Sequence, residues 1–277
     1  MSPADPFGRT DKLDDAVLEA VVTRLEARGK HPLFAGMLAE YLDLMRIDTA
    51  RSVLDLGCGT GVASRALLRR TAFAGSVTGI DLSPYLARVA DRLAKEEGFA
   101  GRVAFRAGDT RSLDLPSGGF DAVVAHTLIS HVDDPLAVIK EAARIVRPGG
   151  LVGIFDGDYA SITFGHPDEA QAKAADEAII NAVITSPRVM RQMPRLLRAA
   201  GLTLVASRSY VLAEIGKADF WLSAIAGLRR LIPAAGTMSE DAANALADAL
   251  LKASDEGVFF GASNYYSYVA KRAQGPA

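Results

Sequence analysis

The sequence predicts an α/β domain in which helices cover both faces of a mostly parallel sheet. Three observations carry that prediction. Short, almost wholly apolar runs alternate with helical stretches through the middle third of the chain, the pattern of strands buried on both faces. One of these runs, VLDL at 53–56, passes into three glycines at alternate positions and then into a helix. An acid, Asp81, ends the next run, twenty positions beyond the last of those glycines.

The elements follow in order. The first 50 residues read as helix: 14–28 places Val17, Val21, Val22 and Leu25 at helical spacing, and 31–45 repeats the pattern. Strands at 53–56, 76–80, 103–107, 122–125 and 151–155 then alternate with helices at 62–70, 84–97 and 135–146. The last of these helices is halted by Pro148, Gly149 and Gly150. Beyond 156 the pattern is helical at 168–184, 188–200, 218–231 and 239–254, with strands at 203–211 and 265–270. Seven strands in a doubly wound, Rossmann-like sheet with helical lid insertions account for all of this. No repeat or linker divides the chain, so 1–277 is read as one domain. Its parts are N-terminal helices at 1–50, a core at 51–155, and lid helices with the last two strands at 156–277.

Composition narrows the function. Thirty-one basic and 33 acidic residues give a net charge of −2, so no general pull towards nucleic acid is expected. A single cysteine, Cys58, excludes an intrachain disulfide. Residues 1–12 lack the order of a signal peptide, and no apolar run reaches the ~18 residues of a membrane span. A cytoplasmic protein with a small-molecule partner is the expectation, and composition is silent on oligomeric state.

The stretch VLDLGCGTG (53–61) is the most informative. Its glycines permit a tight turn and let a ligand press on bare backbone beside the positive end of the next helix. The spacing is G-x-G-x-G, whereas a dinucleotide fingerprint is G-x-G-x-x-G. A turn that merely needs positive φ is the plainer alternative. Asp81 stands where an acid accepts hydrogen bonds from both hydroxyls of a ribose. Its other role is to cap the helix starting near Pro84, for which Ser83 is better placed. Asp109, after the third strand, can accept an amino hydrogen from adenine or simply serve a turn.

These stretches resemble class I methyltransferases of the group that includes the ubiquinone and menaquinone methyltransferases. The resemblance rests on VLDLGCGTG (53–61), GIDLS (79–83), AGDT (107–110), FDAVVAHTLISHVDDP (120–135) and RIVRPGG (144–150), covering about 50–155. FFGASNYYSYVAKR (259–272) is similar to that group's final antiparallel strand. The resemblance implies S-adenosylmethionine as cofactor, with Gly57, Gly59 and Gly61 beneath its methionine part and Asp55 supporting the loop. It further implies Asp81 on the ribose, with Asp109 and Thr110 flanking the adenine. Residues 160–260 match no substrate signature.

Methyl transfer from a sulfonium needs alignment and exclusion of water, and a base only where the accepting atom loses a proton. His126, directly after the fourth strand, is the candidate for lining the pocket or acting as that base; packing against the turn is the alternative. His131 is read as leading towards the next helix. Asp156, Asp158 and Tyr159 follow the fifth strand at the same rim. A third oxygen ligand is missing, so no metal is expected. Cys58 is read as packing. Ile162, Phe164, Phe220, Trp221, Phe259 and Phe260 are candidates for an apolar acceptor pocket, with core packing as the alternative for each.

The expected function is methyl transfer to a small, largely hydrophobic molecule with one polar reacting group. One rival is a cofactor-binding protein without methyl transfer, a regulator or a cyclase. The other is a nicotinamide-dependent oxidoreductase, against which the glycine spacing argues.

Overall fold

The computed structural model describes residues 5–274. Four parallel strands form the first half of the sheet: β1 (Ser52–Leu56), β2 (Ser76–Asp81), β3 (Val103–Ala107) and β4 (Phe120–His126). α3 (Val62–Leu68) joins β1 to β2, α4 (Pro84–Glu96) joins β2 to β3, and α5 (Pro135–Ile145) leads on from β4. With β5 (Val146–Phe164), β6 (Leu202–Gly216) and β7 (Phe259–Arg272), the sheet has the order β3-β2-β1-β4-β5-β7-β6. Only β7 runs antiparallel to its neighbours.

Helix starts follow local chemistry. Ser83 and Asp134 cap α4 and α5 through their side chains, each with proline in the first turn. Asp14 caps α1 (Asp15–Lys30) by accepting the Val17 amide hydrogen, and α2 (Pro32–Leu44) again opens on proline. Asp168 and Ser239 cap α6 (Glu169–Val183) and α9 (Glu240–Asp255); α7 (Val189–Ala199) and α8 (Trp221–Ala234) lie between them.

The strands alternate their side chains between two cores. Val53, Ala122, Val124 and Phe155 join one apolar cluster with residues of α2, α3, α6, α8 and α9. Leu54, Val123, Ala125 and Ile154 join the other, covered by α5 and α7. No helix among the described residues is long and apolar enough to cross a membrane.

Two expectations need correction. The fifth strand was expected to stop at 155, but β5 continues to Phe164 because β7 pairs alongside it. Asp156 faces Tyr266 and Asp158 faces Asn264; a bulge follows, and pairing resumes at Thr163 with Ala262. Asp156, Asp158 and Tyr159 therefore lie within a strand and not on a loop after it. The turn at Pro148–Gly150 was expected to end a helix, yet α5 already stops at Ile145 and that turn lies inside the irregular start of β5.

Candidate functional site

The site lies at the carboxyl ends of the parallel strands, where the chain passes from β1 into α3. Gly57, Gly59 and Gly61 have φ of +63°, +53° and +79°, a region that side chains with a Cβ resist. A Cβ on Gly57 would stand 2.5 Å from Leu128 Cδ1, so bare backbone keeps the groove open there. Gly61 has a different reason: it begins α3, and a Cβ would press on the Phe105 ring and Ala90. It packs helix against strand and does not line the groove.

Two carboxylates brace the loop from below. Asp55 is fully buried and accepts the Ser64 hydroxyl at 2.6 Å, while its Oδ1 is buried without a partner. Burial, set against the Ser64 bonds, pushes its pKa up to about 7. Asp81, also buried, accepts amide hydrogens from Gly59 at 2.8 Å and Ser83 at 2.9 Å. Burial raises its pKa against the lowering pull of those amides and of the Thr10 hydroxyl.

The N-terminal segment completes the groove. A 3-10 turn over Phe7–Lys12 lies across the loop, and α1 closes one side. Glu26 of α1 accepts from Thr60 and pairs with Arg65, tying that helix to the glycine loop and α3. The groove beside the glycines has a volume of about 70 Å³ and is bordered by Asp55, Gly57, Gly59, Arg28, His126 and His131. Beyond Asp81 a second space of about 260 Å³ is bordered by Leu82, Asp109, Thr110 and Arg111. Phe7, Thr10 and Leu128 stand between the two. Asp109 is half-exposed and held by Arg111 at 2.7 Å, and Thr110 is buried beside it.

His126 and His131 occupy different surroundings. The His126 ring stacks on Phe155 at 4.8 Å, and its Nδ1 lies 3.4 Å from the Tyr41 hydroxyl. Burial, with the Arg28 charge beside it, pushes its pKa down to about 3. His131 was expected to lead into the next helix, but it is buried on a 3-10 turn with its Nδ1 3.1 Å from Asp5 Oδ2. Asp5 also accepts the Thr185 amide and hydroxyl hydrogens. Burial pushes the Asp5 carboxyl up, but His131 and Thr185 outweigh it and hold its pKa below the ordinary value.

A third cavity, of about 480 Å³, opens next to the groove and shares Phe7, Arg28 and His131 with it. Ile162, Phe164, Phe220 and Trp221 line it. Phe259 instead belongs to the core, and Phe260 is exposed over Gly165. The two phenylalanines fall outside the cavity because β7 directs them elsewhere. Tyr159 and Tyr265 also face the cavity, with burial raising both hydroxyl pKa values. Asp156 is occupied by Ser130 and Asp158 by Arg191. No cluster of three metal-ligating side chains exists among the described residues. Cys58 is buried, and burial raises its thiol pKa well above the ordinary value, which suits packing and not nucleophilic chemistry.

Known proteins resemble this chain. A family described as a methyltransferase domain matches residues 53–150. The 27-O-demethylrifamycin SV methyltransferase of Amycolatopsis mediterranei is 31% identical over 189 residues, 68% of this chain and 63% of that enzyme. The ubiquinone biosynthesis O-methyltransferase of Xanthomonas axonopodis pv. citri is 37% identical over 112 residues, 40% of this chain and 45% of that one. The chain thus spans less than two thirds of the length of these relatives. Among solved structures, the [4+2]-cyclase SpnF superposes with a TM-score of 0.59 at 21% identity, over 89% of this chain and 85% of that one. The YcgJ protein of Bacillus subtilis gives 0.59 at 18% identity, over 86% and 100%. At such identities the two superpositions establish the fold alone. With the strand order, the glycine loop and the matched segment on the page, residues 53–150 of this chain are a class I methyltransferase domain.

Proposed function

We propose that the protein transfers a methyl group from S-adenosylmethionine to a small, largely hydrophobic molecule. One observation carries the reading: the glycine groove and the large apolar cavity meet at Phe7, Arg28 and His131. A donor over the glycines and an acceptor in the cavity would face each other at that junction.

The residues fit the cofactor. Bare glycine backbone lines the groove, and Asp55, with its Oδ1 unpartnered, is among the residues around it. Asp81 and Thr110 flank the space suited to ribose and adenine, and the Arg28 guanidinium suits a carboxylate. When bound, the cofactor supplies a sulfonium-activated methyl carbon, and the chain's task is alignment and the exclusion of water. Phe7 and Leu128 shield the groove, while the aromatic walls bury the acceptor. Where the accepting atom must lose a proton, His131 is the group placed to take it, with Asp5 fixing its ring. His126, stacked and strongly desolvated, orients the groove wall. The whole 1–277 chain acts as one catalytic domain in this reading, with α6 and α8 roofing the acceptor.

Relatives named for sterol, rifamycin and ubiquinone substrates support a hydrophobic acceptor. The test is calorimetry with S-adenosylmethionine, followed by transfer of labelled methyl to a metabolite pool resolved by mass spectrometry. Absence of binding, or binding without any labelled product, would sink the proposal.

A further inference from the structure

The large cavity is apolar along most of its wall, but two arginines of α1 enter it at the end nearest the groove. Arg24 and Arg28 are one helical turn apart, so their side chains share a face. Neither forms an ion pair with any described residue. Arg24 lies over the Phe7 ring at 5.5 Å, and Arg28 donates to the Thr127 hydroxyl at 2.7 Å. Burial, and next the charge of Arg28, lowers the pKa of Arg24. The wall's one carboxylate, Asp219, is exposed and pairs with neither arginine, so the two like charges are costly there, and an anion between them offsets that cost.

Charge accounting separates the two. Arg28 borders both the groove and the cavity, whereas Arg24 borders the cavity alone. The carboxylate of a bound cofactor can neutralise Arg28 and leaves Arg24 uncompensated. The nearby Asp5 is already engaged by His131 and Thr185. One remaining guanidinium, flanked by the hydroxyl-bearing rings of Tyr159 and Tyr265, matches a planar monoanion. The rest of the wall, including Ile179, Ile180, Trp221 and Leu231, is apolar and suits an apolar tail.

We infer that the acceptor is an amphipathic carboxylate, its head group at Arg24 and its apolar body in the cavity. This inference rests on the methyl-transfer reading and narrows its acceptor from any hydrophobic molecule to an acidic one.

Decanoate and decanamide, alike in length and different in charge, serve as probes on the full chain in the presence of S-adenosylhomocysteine. Wild type should bind decanoate at least tenfold more tightly than decanamide. Arg24→Gln should abolish that preference while changing decanamide and S-adenosylhomocysteine affinities less than about twofold, and Arg24→Lys should retain most of it. Equal affinities in wild type would overturn the inference without any variant being needed. So would an Arg24→Gln protein that keeps the preference. A decanoate preference in a protein that fails to bind S-adenosylhomocysteine would instead sink the methyl-transfer reading and leave the anion site standing.

Discussion

Asp81 and Gly59 are joined directly: Asp81 Oδ2 accepts the Gly59 amide hydrogen at 2.8 Å. The acid proposed for the ribose is therefore also the anchor of the turn beneath the cofactor. Its other oxygen holds Ser83 at the start of α4, so one side chain fixes both ends of the groove floor.

Asp81→Ala should weaken S-adenosylhomocysteine binding by roughly 10- to 150-fold, the effect of losing ~1.5–3 kcal/mol of hydrogen bonding to a charged group. It should also lower the thermal midpoint, because the loop loses its anchor. Calorimetry on the folded variant checks the first effect, and wild-type affinity there would remove Asp81 from the ribose.

Gly59→Val places a branched side chain at φ of +53° and against Leu25 Cδ1, 3.0 Å from the new Cβ. Cofactor binding should be lost while far-UV circular dichroism stays close to wild type, since the strain is confined to the loop. A variant with normal affinity would show that the ligand does not lie on this backbone.

Asp55 predicts a pH dependence of stability. Its folded pKa of about 7 is above the ordinary value of 3.8, so the native state holds a proton that the unfolded chain has released between those values. Its stability contribution is full below pH ~4 and is lost as pH rises to ~7. Asp55→Asn keeps an oxygen for Ser64 and cannot ionise. Relative to this variant, wild type should lose thermal stability steadily from pH 4 to 7 and no further above it. Parallel curves across that window would contradict the buried, protonated carboxyl.

His126, expected after the fourth strand but found as the last residue of β4, and His131 beyond it should separate kinetically for an acceptor that loses a proton. His131→Asn should cut turnover by ~10²–10⁴-fold, the usual worth of a positioned base, with modest change in cofactor affinity. His126, held neutral by a pKa pushed down to about 3, should matter differently. His126→Asn should raise the cofactor dissociation constant and reduce saturated turnover by less than about tenfold. The opposite ranking would return the base role to His126.

What the sequence by itself determined was local. The apolar runs of β1 to β4, the glycines of the turn, the proline-led helices and the acid ending β2 are each written within a few neighbouring residues. The physics they report, side-chain period and backbone φ, is equally short in range. Tertiary structure decided what depends on partners far along the chain. β5 extends to Phe164 because β7 lies beside it, a hundred residues later. His131 becomes a buried partner of Asp5 across 126 positions, and α1 carries Arg24 and Arg28 to the apolar cavity. Nothing in the local pattern marks these arginines as unpaired, because a helical stretch with charges at that spacing reads as a solvated face. Only the packing of α1 over the glycine loop takes them partly out of water, and that partial burial is what turns an ordinary surface charge into a site.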